Sequence, residues 1–99
     1  MYIRVLNFQT NGNKTDEVVP IMNNIIPKLK SMKGCKDCMF LAHESDNRYV
    51  FLVFWQSKEN ADAATPVIGP ILLPALNKIS TQPVIPQLYE VYQFEREMA

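Results

Sequence analysis

The stretch "YVFLVFW", Tyr49 to Trp55, is apolar at every position. It is far shorter than the ~20 residues that span a bilayer. Its β-branched and aromatic content reads as a buried strand. In an extended chain Tyr49, Phe51, Val53 and Trp55 project to one side, and Val50, Leu52 and Phe54 to the other. Both sides are apolar. The opening stretch "YIRVLNFQT" (Tyr2–Thr10) behaves alike, with Ile3 and Val5 on one face and Tyr2, Leu6 and Phe8 on the other. Any fold for this chain must cover a sheet on two sides.

The remaining segments say how much cover is available. "NGN" ends the first strand in a turn, and Thr15 and Asp16 are suited to cap a helix. Val18, Met22, Ile25, Ile26, Leu29 and Met32 then recur at helical spacing. Pro20 lies near the first turn, Pro27 is expected to kink the helix, and Gly34 to close it. "CMFLAHES" and "RYVFLVFWQS" read as two strands joined around "SDN". Ser57 is placed to cap a short helix, "KENADAA". Pro66, Pro70 and Pro74 follow at intervals of four, which predicts a break near Gly69 and a second helical piece ending near Ile79. "TQPVIPQ" reads as a loop and "LYEVYQFE" as the last strand.

The order β-α-β-β-α-β defines a ferredoxin-like α+β fold, a single domain over residues 1–99 with an antiparallel four-stranded sheet. Two helical segments cover one face of such a sheet. A partner sheet from a second copy is the economical cover for the other face, so a homodimer is expected.

Charge narrows the function classes. Ten basic residues balance ten acidic ones, so no long-range field draws in nucleic acid or an anionic membrane. The start "MYIRVLNF" has Arg4 and Asn7 interrupting its apolar residues and does not read as a secretory leader. A cytoplasmic protein is expected.

Both cysteines lie in "GCKDC", Gly34 to Cys38. A redox Cys-x-x-Cys sets its first thiol at a helix N-terminus, where the dipole lowers the pKa. Here the pair follows a helix and enters a strand. If extended, the cysteines lie ~10 Å apart on opposite faces, beyond disulfide reach. Zinc needs four ligands, and the chain holds no second pair. Structural thiols are expected, with no metal and no cofactor.

Three residues are candidates for chemistry. Asn7 shares a strand face with Ile3 and Val5, and an amide among apolar neighbours needs a partner. That partner is either a pocket ligand or backbone at the strand's end. His43, the sole histidine, is either a general base or a solvated residue beside Glu44, Ser45 and Asp46. Trp55 is either core or pocket wall. No Ser-His-Asp order, phosphate loop or metal-spaced carboxylate set is present in the sequence.

From Met32 onward, "MKGCKDCMFLAHES…RYVFLVFWQSKENADAA" resembles the antibiotic biosynthesis monooxygenase family of dimeric α/β barrels. The likeness rests on the glycine after helix one and on an aromatic-rich strand running through Trp55-Gln56-Ser57-Lys58-Glu59 into Ala61, Ala63 and Ala64. It implies two four-stranded sheets meeting face to face as a dimeric α/β barrel. It also implies cofactor-free oxygenation of an aromatic or quinol-type molecule, with Asn7 steadying an oxyanion, His43 taking a proton and Trp55 walling the pocket. Haem-degrading members use an asparagine on the first strand, with a tryptophan and a histidine of the second helical region. No histidine occurs from Glu44 to Ala99, so haem turnover is not expected. The rival class is a non-catalytic dimeric module that binds an apolar metabolite or serves assembly. A pocket is expected between sheet and helices, under Thr65–Leu76, against the strand face that carries Asn7.

Overall fold

A computed structural model describes residues 1–92. Its elements run β1 (Tyr2–Gln9), α1 (Thr15–Lys30), β2 (Cys35–His43), a 3-10 turn (Glu44–Asp46), β3 (Arg48–Trp55), α2 (Lys58–Asn77) and β4 (Gln87–Glu90). The order and the ferredoxin-like class are those expected. Residues 93–95 of the last predicted strand lie outside the described residues.

The four strands form one antiparallel sheet in the order β2-β3-β1-β4. β1 and β3 are therefore central, which is why they are the strands with two apolar faces. Register places Leu6 opposite Phe51, Phe8 opposite Tyr49, and Tyr2 opposite Trp55. These residues share the face on which the helices pack. Leu6, Phe8, Tyr49, Phe51, Val53 and Trp55 are buried there. α1 supplies Val18, Met22, Ile25 and Leu29, and α2 supplies Ala61, Ala64, Ile68, Leu72 and Leu76. Each large side chain so buried contributes ~1.5–3 kcal/mol relative to exposure. Phe8, Phe40 and Tyr49 form one aromatic cluster, with the Phe8 and Phe40 centroids 5.1 and 5.6 Å from that of Tyr49 and 6.5 Å from each other. The Tyr49 hydroxyl is 3.2 Å from Thr15 Oγ1, tying β3 to the start of α1.

The helix ends follow local chemistry. Ser57 is the N-cap of α2, and its Oγ accepts from the Asn60 backbone N–H at 3.1 Å. The N-cap of α1 is Lys14 rather than Thr15, whose backbone N–H is instead taken by Asn13 Oδ1 at 2.9 Å. α1 ends at Lys30, and Gly34, with φ +83°, forms the turn into β2. The "SDN" connection ends at Asn47 in the left-handed region, φ 57°, which asparagine tolerates.

One expectation about α2 is corrected. The segment does not break near Gly69: Lys58–Asn77 is a single helix of 20 residues through all three prolines. Each proline removes the bond to the carbonyl four residues earlier, those of Asp62, Pro66 and Pro70. The prolines and Asp62 all lie on the exposed stripe of the helix, where water can satisfy those carbonyls. The spacing of four that looked disruptive confines the damage to one solvated side.

Among the described residues, nothing covers the opposite sheet face. Ile3, Val5, Val50, Leu52 and Phe54 are only partly buried there, and Met39 and Leu41 are 46% and 48% exposed. Among the described residues, no helix is long and apolar enough to cross a membrane.

Candidate functional site

Side-chain alternation on β1 decides what faces the helices. Even-numbered residues point to them, so Arg4 stands between Tyr2 and Leu6 on the covered face. It is the one charged residue among the strand positions that point to the helices from β1, and its side chain is only 19% exposed. Arg4 lies opposite Val53 on β3 and Leu88 on β4. Its Nη2 donates to Thr65 Oγ1 at 3.2 Å and meets Asp62 Oδ1 at 3.4 Å, both on α2.

Beside this guanidinium is a cavity of about 80 Å³ between the sheet and α2. Phe51, Val53 and Trp55 form its floor, and Ala61, Ala64 and Gly69 belong to its α2 wall. Small residues on the helix leave the room. Apart from Arg4 and the Thr65 hydroxyl, the lining side chains are apolar. The volume is about half of the ~150 Å³ that admits benzene into a closed apolar cavity. A larger ligand must therefore extend through the mouth or displace α2.

Trp55 is buried, at 2% exposure, in the floor of this cavity. Asn7 and His43 are elsewhere. Asn7 is odd-numbered on β1, opposite Val50, and points away from the helices into solvent. The expectation of an amide inside the helix-covered pocket is thereby corrected: Asn7 shares its face with Ile3 and Val5, but that face is the open one. His43 closes β2 on the same open face, opposite Arg48. Asn7 and His43 do line a common concavity of about 850 Å³, together with Gln9, Leu41, Arg48 and the Thr81–Pro83 segment.

In that concavity His43 Nδ1 is 2.8 Å from Asp46 Oδ1 and 3.1 Å from Ser45 Oγ. Arg48 Nε meets the other Asp46 oxygen at 3.1 Å. The hydrogen bond from His43, reinforced by the His43 and Arg48 charges, holds the Asp46 carboxyl below its usual range. In the neutral ring, with Asp46 ionised, the Nδ1 proton is the natural donor, which leaves Nε2 as the accepting nitrogen. The ring is 71% exposed, so nothing excludes water from it. Trp55 and the Asn7–His43 pair thus stand on opposite sides of one sheet and cannot touch the same atom of a small ligand.

The cysteines also depart from expectation. Cys35 pairs with Trp55 and Asp37 with Phe54, so an irregularity at Lys36 inserts one residue into β2. The insertion resets the alternation, and Cys38 falls opposite Val53 on the same face as Cys35. Both thiols are half-buried against the core and are free. Burial first, and then the neighbouring Cys35, push the Cys38 thiol up to about 12. Such a thiol stays protonated and unreactive near neutrality. Among the described residues, no group of three or more His, Cys, Asp or Glu side chains gathers as a metal site.

Sequence reading missed Arg4 as a site residue. The signal is in the alternation: Tyr2, Leu6 and Phe8 share one face of β1, and Arg4 has their parity. A charge at a covered strand position is more informative than an exposed apolar residue.

The fold is that of a class of small α+β proteins known from crystal structures of antibiotic biosynthesis monooxygenases. One such neighbour is SnoaB, a cofactor-independent oxygenase from Streptomyces nogalater, at 20% identity over 97% of each chain, TM-score 0.77. A candidate antibiotic biosynthesis monooxygenase from Deinococcus radiodurans superimposes over 100% of both chains at 13% identity, TM-score 0.80. A similar candidate from Nitrosomonas europaea is 14% identical over 94% of this chain and 100% of its own, TM-score 0.80. These likenesses are of fold. No family model matches the sequence, and no curated protein matches it.

Proposed function

We propose that this chain is a cytoplasmic, cofactor-independent oxygenase acting on a small phenolic or quinol-type aromatic, with its site in the cavity beneath α2. The single observation carrying this reading is a cavity that is apolar except for Arg4 and Thr65 and is floored by Trp55. Convergence of a few polar groups on an apolar pocket is the usual form of a small-molecule site. The description of the fold neighbour SnoaB as a cofactor-independent oxygenase supports the reaction class. In such a reaction the substrate is the only reductant. A CH2 carbon of the substrate loses two hydrogens and gains one oxygen atom of O2 as a carbonyl, and the other atom leaves as water. Trp55 acts as a wall, holding the ring flat against β3.

The same reading includes a homodimer. The uncovered face with Val50, Leu52, Phe54, Met39 and Leu41 is the natural seat for the equivalent face of a second copy.

A second reading has its own observation in favour. Asn7 and the His43–Asp46 pair line one concavity on the open face, which a second copy would roof over. There His43 Nε2 would take the proton and Asn7 would steady the oxyanion.

Oxygen-electrode screening of quinols and anthrone-like phenols tests both. Turnover lost in Trp55→Ala and kept in His43→Ala supports the covered cavity; the reverse supports the open-face concavity. No oxygen uptake with any phenol, with the protein folded and dimeric, leaves the non-catalytic module.

A further inference from the structure

We propose that Arg4 makes the covered cavity an anion receptor, so that its ligand is an aromatic acid, phenol or enol held as its conjugate base with the charged oxygen on the guanidinium. This rests on the covered cavity being the ligand site. A guanidinium carries five N–H donors in a planar fork. Among the described residues only Nη2 is engaged, through Thr65 at 3.2 Å and Asp62 at 3.4 Å. Both contacts are long for a charge-assisted bond, which is typically 2.7–2.9 Å. Asp62 is a weak partner as well, being 57% exposed and therefore well hydrated. Nε and Nη1 remain to receive a ligand oxygen.

Position does the rest. Arg4 is held at 19% exposure at the edge of an apolar cavity, where a cation is costly without a counter-charge. A ligand that places its ring over Trp55 and its oxyanion on the fork removes that cost, and a neutral ligand does not. Among the described residues, none that lines the cavity carries a carboxylate or an imidazole that could act as a base. The proton must therefore leave the ligand for water, and the neighbouring cation favours that loss by lowering the ligand's own pKa. The site selects acidic aromatics.

The test uses para-nitrophenol, whose anion is yellow, and para-nitroanisole, its neutral counterpart. Trp55 is the only tryptophan and floors the cavity, so its fluorescence quenching reports occupancy. The visible band reports whether the bound phenol is ionised. In buffer just below the phenol's own pKa, wild-type protein should quench with para-nitrophenol and raise the yellow band. The anion should bind roughly tenfold more tightly than para-nitroanisole. Arg4→Met, which keeps the apolar stem, should bind the two alike with no rise in yellow. Asp62→Asn, which removes the competing carboxylate, should bind the anion more tightly than wild type. Equal quenching by both probes in wild type, without ionisation, overturns the role of Arg4 and leaves the cavity as a site. Absence of quenching by either probe overturns the cavity reading and this inference together.

Discussion

Gly34 lies directly against the side chain of Asn60, so closely that a Cβ on the glycine would overlap it. The contact joins the turn before β2 to the first turn of α2, and Gln56 N–H adds a 2.8 Å bond to the Gly34 carbonyl. Asn60 is itself held by the Ser57 cap, whose hydroxyl donates to Asn60 Oδ1 at 2.7 Å. Room and backbone conformation both require glycine here, because φ is +83°. Gly34→Ala should lower the urea-unfolding free energy by roughly 1–3 kcal/mol. An unchanged midpoint would mean that the turn and the α2 cap do not depend on one another.

The bulge at Lys36 leads to a prediction about the thiols. Cys38, pushed up to about 12 by burial, should be alkylated by iodoacetamide much more slowly than Cys35 at pH 9. Its folded pKa lies above the unfolded value of 9.0, so the native state holds that proton longer than the unfolded state. Stability from this group is complete below about pH 9 and declines between roughly pH 9 and 12. Cys38→Val should flatten the decline. Equal labelling of both cysteines, mapped by mass spectrometry, would show that Cys38 is not held against the core.

At the open-face concavity, His43 and Asp46 are tied by the 2.8 Å bond. The Asp46 carboxyl is held below its usual range chiefly by that bond, so its stabilising effect is present above about pH 4 and is lost as pH falls through the lowered folded value. His43→Ala should move the Asp46 titration, followed by carboxyl NMR, back towards 3.8. A titration that stays put would assign the shift to Arg48 instead.

Leu52 sits in the middle of the uncovered face, paired with Val5 on β1 and Met39 on β2. A homodimer through this face should bury ~1,500 Å² or more in total. Leu52→Lys places a charge at its centre and should shift sedimentation equilibrium from dimer to monomer, with the helix-side core intact by circular dichroism. Wild-type protein sedimenting as a monomer at micromolar concentration would exclude the homodimer.

Local patterns carried much of the fold. Alternation in "YVFLVFW" places Tyr49, Phe51, Val53 and Trp55 together, and all four are buried under the helices. Ser57 caps α2 as its hydroxyl predicts, because a cap depends on backbone donors two or three residues away. α2 runs unbroken through its prolines because a proline's cost depends on whether the freed carbonyl meets water or core. Pro66, Pro70 and Pro74 all face water.

The candidate site was less legible for a related reason. Alternation says which residues share a side, and it grouped Asn7 correctly with Ile3 and Val5. It does not say which side the helices take. That depends on where α1 and α2 pack, and they cover Leu6 and Phe8, leaving Asn7 outside and bringing Arg4 in. A single inserted residue at Lys36 likewise overrode the parity that set Cys35 and Cys38 apart. The sequence by itself determined the element order, the two-faced central strands and the Ser57 cap of α2, because each follows from neighbours a few residues apart. Only the tertiary structure decided which face is covered and which charge lies under the helix, because packing between distant segments sets both.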